Sequence, residues 1–130
     1  MKKISLKIAT ALIACGLFST PVISNELSPV GKWLTTTGES QYEVTLCGGG
    51  SNLCAKLTWL RADARTADNL AYLNKYVVRG ARPTAANKWR GTINYAGEKI
   101  GGSVTLLSAD KLRLNGCKLI VCQTVDFNRV

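Results

Sequence analysis

The chain contains no histidine, and its 8 acidic residues are outnumbered by 17 lysines and arginines. Histidine is the side chain that most often works as a general base near neutral pH, so its absence removes the commonest catalytic group. No serine stands in a Gly-x-Ser-x-Gly nucleophile motif, and the carboxylates are scattered along the chain. We therefore predict a protein that is not an enzyme and that carries no cofactor and no metal.

Long apolar runs are also absent beyond the N-terminal segment, and the run there, residues 8–18, is too short to span a bilayer. Residues 1–7 carry three lysines and no acid, and Val22-Ile23-Ser24 offers small residues for cleavage. This order is typical of a bacterial secretory signal. We predict a signal peptide over residues 1–24, a single mature domain over 25–130, a periplasmic or secreted location and no transmembrane segment.

One alternative concerns Cys15, which lies inside this segment. Leu12-Ile13-Ala14-Cys15 resembles a lipobox, in which the cysteine becomes a lipidated N-terminus. Few apolar residues precede Cys15, and Leu17 and Phe18 continue the run beyond it, which favours the soluble exported form over a lipoprotein anchored through Cys15.

Acidic residues remain scarce after cleavage, since losing the three lysines only lowers the formal charge from +9 to +6. A basic protein attracts anionic neighbours, which in a bacterial envelope are lipid headgroups, lipopolysaccharide and acidic glycans, not nucleic acid. The alternative is a basic surface that is merely solvated.

Four further cysteines form two short loops, 47–54 and 117–122, each flanked by apolar and polar residues in strict alternation. Such alternation around a turn predicts β-hairpins, and all four cysteines fall on the polar faces. Four cysteines allow three connectivities. The facing argument favours disulfides Cys47–Cys54 and Cys117–Cys122. Zinc sites and redox pairs prefer C-x2-C spacings, whereas these are C-x6-C and C-x4-C.

The same alternation recurs along the whole chain and predicts about eight strands with one or two helical turns inside residues 61–75, where Thr66 or Asp68 is a candidate N-cap. The strands fall near 31–36, 41–47, 53–59, 76–79, 88–95, 100–106, 111–117 and 122–127, with a loop over 80–87. Many short alternating strands are typical of an all-β sandwich or barrel.

Gly31-Lys32-Trp33 at the first strand, with Arg129 ending the last, resembles the signature of lipocalin-type (calycin-type) barrels. Arg129 lies two residues after Phe127, so both side chains are predicted to face into the barrel. The Arg129 guanidinium is then placed to lie across the Trp33 ring. Such a cation–π contact would close one end of the barrel.

Five segments together resemble the DUF2147 family of secreted bacterial proteins, which implies a small antiparallel lipocalin-like barrel of uncharacterised function. They are Gly31-Lys32-Trp33, Leu53 to Leu60 with Cys47, Trp89-Arg90-Gly91, Leu112 to Cys117 and Asn128-Arg129-Val130. The chain departs from the family at Arg79–Pro83 and at Asn94–Lys99, where we expect loops that frame a cavity mouth.

The leading functional hypothesis is an exported binding protein for a small apolar or amphipathic molecule, such as a lipid, held inside the barrel. The candidate cavity residues are Tyr42, Val44, Leu57, Trp59, Trp89, Ile93, Tyr95 and Phe127, and the inward glycines Gly91 and Gly102 suggest spare room. The alternative is that these side chains simply fill the core. The oligomeric state is not predicted.

A second hypothesis is a basic interaction module that contacts anionic lipid, lipopolysaccharide or a partner protein. Its candidate residues are Arg79, Arg82, Lys88 and Arg90, four cations close to Trp89. Guanidinium and ammonium groups bind phosphate and carboxylate oxygens well.

We expect the intact mass of the exported protein to correspond to a chain that starts at Asn25 and holds no free thiol, because signal cleavage removes Cys15 and leaves four paired cysteines. Intact-mass spectrometry before and after reduction measures this. A diacylglycerol-modified start at Cys15 contradicts the soluble form, and a peptide linking Cys47 to Cys117 contradicts the hairpin pairing.

Overall fold

The computed structural model is a closed barrel in which each of eight antiparallel strands pairs with the next and the last pairs with the first. It describes Gly16 and residues 27–95 and 97–130, with only the backbone of Tyr95. Cys15 and the rest of the predicted signal peptide apart from Gly16 lie outside the described residues. The strands are β1 Gly31–Thr35, β2 Ser40–Cys47, β3 Asn52–Leu60, β4 Tyr76–Ala85, β5 Lys88–Tyr95, β6 Glu98–Ser108, β7 Lys111–Lys118 and β8 Val121–Arg129. The predicted all-β barrel is confirmed.

The barrel has two unlike ends. The turns after β2, β4 and β6 share one end with the start of β1 and the end of β8, and we call this the Trp33 end. The turns after β1, β5 and β7 form the opposite end together with residues 61–75, which join β3 to β4. This connection holds a 3₁₀ turn, Ala62–Ala64, and a single helical turn, α1, at Ala67–Leu70.

The short helix begins where the sequence predicts. The Thr66 side chain is the N-cap and accepts a hydrogen bond of 3.2 Å from the backbone N–H of Asn69. Tyr72 and Leu73 follow the helix and pack against the core, so the connection covers one flank of the barrel. None of the helices in the described part of the chain has the length and hydropathy to cross a bilayer.

Both disulfides pair the two cysteines of one hairpin, as predicted from their positions on the same polar face of that hairpin. Cys47–Cys54 lies at the Trp33 end with a Cα–Cα distance of 6.0 Å. Cys117–Cys122 lies at the opposite end, where the two residues are direct cross-strand partners with a Cα–Cα distance of 4.0 Å. Each bridge therefore braces one hairpin turn, and the two turns lie at opposite ends.

Trp33 and Arg129 close one end of the barrel. Trp33 is fully buried, and its indole Nε1 donates to the Pro29 carbonyl at 2.8 Å. The Arg129 guanidinium lies over the indole, with Cζ 4.3 Å from the ring centroid, and donates to the carbonyls of Ala109, Val30 and Ser28 at 2.7, 2.8 and 2.6 Å. The cation thus ties the N-terminal segment to the turn between β6 and β7.

Gly31 explains why the motif begins with glycine. A Cβ at this position would lie 2.5 Å from Arg129 Nη1, and the backbone has φ +147°, which side chains rarely adopt. The glycine leaves the space that the guanidinium occupies above Trp33.

The predicted face of β3 is wrong at its end, because the β2–β3 pairing contains a bulge. Tyr42 pairs with Leu57, but Gln41 pairs with Trp59, so Thr58 is the extra residue. After the bulge the inward and outward positions of β3 are exchanged. Leu60 is therefore buried, whereas Trp59, which the sequence pattern predicts to face inward, is 43% exposed on the outer face. Trp59 is therefore not a cavity residue.

The predicted loop over residues 80–87 is also wrong, since β4 continues to Ala85. Gly80 has φ +71° and lies where the β3–β4 register shifts, so it absorbs the irregularity that period-two alternation misses. Pro83 pairs with Trp89 beside a second shift near the strand end, where a missing N–H is tolerated.

We expect Trp33→Ala to lower the free energy of unfolding by about 3–5 kcal/mol, because it removes a large buried aromatic. Arg129→Ala should destabilise as well, and a double-mutant cycle should give a coupling of about 0.5–2 kcal/mol, the range of a cation–π contact. Denaturant unfolding measures all four proteins. Trp59→Ala is the matched control, and we expect it to cost less than about 1 kcal/mol. Additive effects at Trp33 and Arg129 would contradict the contact.

Candidate binding cavity

A cavity of about 880 Å³ occupies the barrel interior and opens at the end opposite Trp33. Small-ligand pockets typically measure about 300–1,000 Å³. An eight-stranded barrel is just wide enough either to fill with side chains or to hold one small ligand. Here the inward side chains leave room for a ligand.

The deep part of the cavity is apolar. Its wall consists of inward side chains from every strand. Alternation places them on one face, except that Val77 and Val78 both line the cavity where the β3–β4 register shifts. The wall residues are Trp33, Val44, Leu53, Ala55, Val77, Val78, Ile93, Val104, Leu112, Leu114 and Phe127. The Tyr42 and Phe127 rings meet edge to face, with centroids 5.5 Å apart. Val125 also faces inward, yet 38% of it is exposed, so its side chain borders open space.

Polar groups gather nearer the mouth. Ser40 Oγ donates to Tyr42 Oη at 3.3 Å, and Thr35 Oγ1 accepts from the Glu39 and Ser40 backbone N–H groups at 3.0 and 3.2 Å. An ion pair between Lys118 and Glu98 joins β7 to β6 at the rim. The cavity therefore has an apolar interior and a polar mouth, which suits an amphipathic molecule.

The β7–β8 turn forms one lip of the mouth. Lys118 pairs with Val121, so Leu119 and Ile120 alone make the turn. Leu119 has φ +56°, and the tip residues Leu119, Ile120 and Val121 are 93%, 97% and 64% exposed although they border the cavity. Alternation does not predict this lip. The sequence signal that indicates it is an apolar pair in a two-residue turn, where glycine and asparagine are usual.

Of the eight predicted cavity residues, Tyr42, Val44, Ile93 and Phe127 line the cavity. Leu57 instead borders a second cavity of about 40 Å³ under the helical connection. Trp89 is buried at the Trp33 end, where its Nε1 donates to the Ser51 carbonyl at 3.0 Å. Trp59 lies outside the barrel, and the side chain of Tyr95 is outside the described part of the chain.

The two inward glycines do not mark spare room. A Cβ at Gly91 would lie 2.9 Å from Ala81 Cα, and a Cβ at Gly102 would lie 2.6 Å from the Asn115 carbonyl oxygen. Both glycines therefore permit a close approach of neighbouring atoms. Gly116 does border the cavity. A Cβ at this position would lie at ordinary van der Waals distances from the Ile100 and Ile93 side chains.

Only one of the two predicted mouth segments lies at the mouth. The β5–β6 turn within Asn94–Lys99 does, through Glu98. Arg79–Pro83 instead lies inside β4, where Ala81 is buried.

The four predicted cations lie on the outer face of β4 and β5 and are exposed. Arg82 and Arg90 are direct cross-strand partners, Lys88 follows on the same face of β5, and Arg79 Cζ lies 5.7 Å from the Tyr76 ring centroid. Within residues 27–95 and 97–130, none of the four forms an ion pair. By contrast, Arg113 binds Asp126 at 2.8 and 3.0 Å, and this hydrogen-bonded pairing lowers the pKa of Asp126.

No cluster of three or more potential metal-ligating side chains occurs among the residues that the structure describes. The mouth carboxylate of Glu98 is held by Lys118, and the cavity walls deeper in are mostly aliphatic and aromatic. The arrangement is suited to holding a molecule by burial of apolar surface.

Comparison with known proteins agrees with this architecture. The solved structure of a redesigned β barrel is similar to the chain, with a TM-score of 0.50 at 15% sequence identity, over 78% of this chain and 90% of that one. At this identity the likeness concerns the fold alone. No curated protein matches the sequence. The family model of an uncharacterised protein conserved in bacteria, DUF2147, matches residues 31–129, which span the whole barrel from β1 to β8, and the chain therefore belongs to the DUF2147 family.

Proposed function

We propose that the protein is an exported, non-enzymatic binding protein that holds one small apolar or amphipathic molecule in its barrel. The observation that carries this proposal is the cavity of about 880 Å³ with an apolar interior and an opening at one end. Removing apolar ligand surface from water contributes about 25 cal/mol per Å². A mostly aliphatic and aromatic wall provides that contribution without a specific polar partner.

The polar mouth favours an amphipathic ligand. An apolar tail would lie between Phe127, Val44 and the floor made by Trp33. A polar head would remain near Lys118, Glu98 and Gln123, which border the opening. This division matches a single-chain lipid better than a uniformly apolar molecule.

Two further features support an exported, non-catalytic role. Disulfides form and persist mainly in oxidising compartments such as the bacterial periplasm, and the protein holds two. The chain has no histidine to act as a general base. A periplasmic or secreted location and the absence of catalysis are both part of the proposal.

Native mass spectrometry of protein purified from its own envelope, followed by organic extraction, should release an apolar or amphipathic molecule. We expect Val125→Trp to weaken binding of an apolar fluorescent probe at least about tenfold, because Val125 faces the open part of the cavity and an indole would fill it. Asn128→Trp is the matched control on the same strand, since Asn128 is exposed on the outer face and should leave probe binding unchanged. An empty protein that fails to bind the probe would overturn the cavity proposal.

A second candidate function is contact with an anionic envelope surface. The direct pairing of Arg82 with Arg90 favours it, because like charges directly opposite each other on two strands are destabilising unless a counter-ion lies between them. Arg79 and Lys88 extend the same outer face, so a phosphate-rich surface would meet all four cations.

We expect Arg82→Gln combined with Arg90→Gln to weaken binding to lipopolysaccharide, and the remaining binding should depend less steeply on salt concentration. Lys75→Gln combined with Lys111→Gln removes equal charge from exposed positions elsewhere and serves as the control. Equal losses of lipopolysaccharide binding in the two double variants would mean that only net charge matters, which would contradict this second function.

A further inference from the structure

We infer that the tip residues Leu119, Ile120 and Val121 insert into the surface of a lipid bilayer and bring the cavity mouth against it. The inference builds on the proposed function, because it names the place where an amphipathic ligand would enter or leave. Its membrane contact is nevertheless measurable without any ligand.

The first argument is exposure. Leu119 and Ile120 are 93% and 97% exposed, far more than the other large apolar side chains at the surface, and Val121 follows at 64%. Three adjacent aliphatic side chains largely in water are unfavourable, and their burial in the hydrocarbon boundary would be stabilising.

The second argument is backbone conformation. Leu119 adopts φ +56°, a left-handed conformation that glycine and asparagine adopt easily and leucine does not. Ile120 is not in this conformation, and a two-residue hairpin turn with positive φ at its first position alone is best served by glycine there. The chain instead keeps leucine and isoleucine in this turn, and strained residues of this kind concentrate at functional sites.

The third argument is support behind the tip. Cys117 and Cys122 are bridged directly across the two strands, with Lys118 and Val121 as the next pair toward the turn. The bridge holds both strands together at the base of the tip, so the apolar residues protrude on a braced hairpin.

The fourth argument is position and charge. The tip borders the cavity, so a tip within the bilayer would let an acyl chain pass into the barrel without crossing water. Lys99 is exposed near the start of β6 at this end of the barrel, beside the paired Lys118 and Glu98, and the segment 25–130 has a formal charge of +6. Bacterial envelope membranes carry anionic headgroups that attract such a surface.

The small area of the tip favours a bilayer over a protein partner. A stable protein–protein interface buries about 800 Å² on each side and takes about 20–30 residues. Three side chains on a narrow hairpin supply a small fraction of that area, whereas interfacial insertion into lipid needs only a few apolar side chains.

The test is sedimentation of the exported protein with vesicles of phosphatidylethanolamine and phosphatidylglycerol in equal parts. Replacing the turn by Leu119→Gly with Ile120→Ser should lower the fraction bound at least about tenfold, while glycine at the positive-φ position keeps the fold at least as stable. Leu107→Ser is the matched control, since Leu107 is an exposed leucine near the end of β6, at the Trp33 end. It should leave vesicle binding unchanged.

A second measurement places the tip directly. With Ile120→Trp, the added indole fluorescence should be quenched by brominated acyl chains in the same vesicles. Unquenched fluorescence, or equal binding by the Gly-Ser variant and the wild type, would overturn the inference. A dimer that depends on the tip, seen by sedimentation velocity without vesicle binding, would assign the tip to a second copy of the chain and would equally overturn it.

The two proposals fail separately. Binding of an apolar probe in vesicle-free solution reports on the cavity alone, and vesicle binding by the probe-deficient Val125→Trp variant reports on the tip alone. Vesicle binding without probe binding would leave membrane insertion standing and remove the ligand. Probe binding without vesicle binding would leave the ligand cavity standing and remove membrane insertion.

Discussion

The contact between Trp33 and Arg129 is the interaction on which the rest of the structure depends. It joins the first strand to the last, and so converts a sheet with two edges into a closed barrel. The same indole is the floor of the cavity, and the same guanidinium holds the N-terminal segment and the β6–β7 turn over that floor. Closure at this end leaves the other end free to open.

Strict alternation made much of the fold predictable from sequence. The β5–β6 and β7–β8 pairings contain no register shift, and the positions predicted to face inward at Trp89, Ile93, Leu112 and Phe127 are buried. Alternation fails where an extra residue enters a strand. Thr58 and Gly80 are such residues, and they account for the wrong face of Trp59 and for the missed second half of β4. A bulge changes one hydrogen-bond register and leaves little trace in composition.

The cavity itself was harder to predict, because a list of inward residues does not give the space between them. The sequence pattern suggests empty space beside Gly91 and Gly102, yet neighbouring atoms approach both glycines closely and occupy that space. The real space lies beside Val125 and Gly116, where β7 and β8 extend toward the mouth. Strand length and barrel shape decide this, and both arise only when all eight strands have paired.

The two disulfides have a consequence for how the chain reaches its native state. Each bridge joins one cysteine to the next cysteine along the chain, at sequence separations of 7 and 5 residues. Loops this short restrict the unfolded chain by only about 2 kcal/mol each on the chain-entropy model. Their pairing order matters more. Among the four cysteines of residues 27–130, an oxidant that joins each cysteine to the next one along the chain, starting from Cys47, forms the native set at once. The barrel can then assemble with no disulfide to reshuffle, so oxidation and strand pairing need not wait for each other.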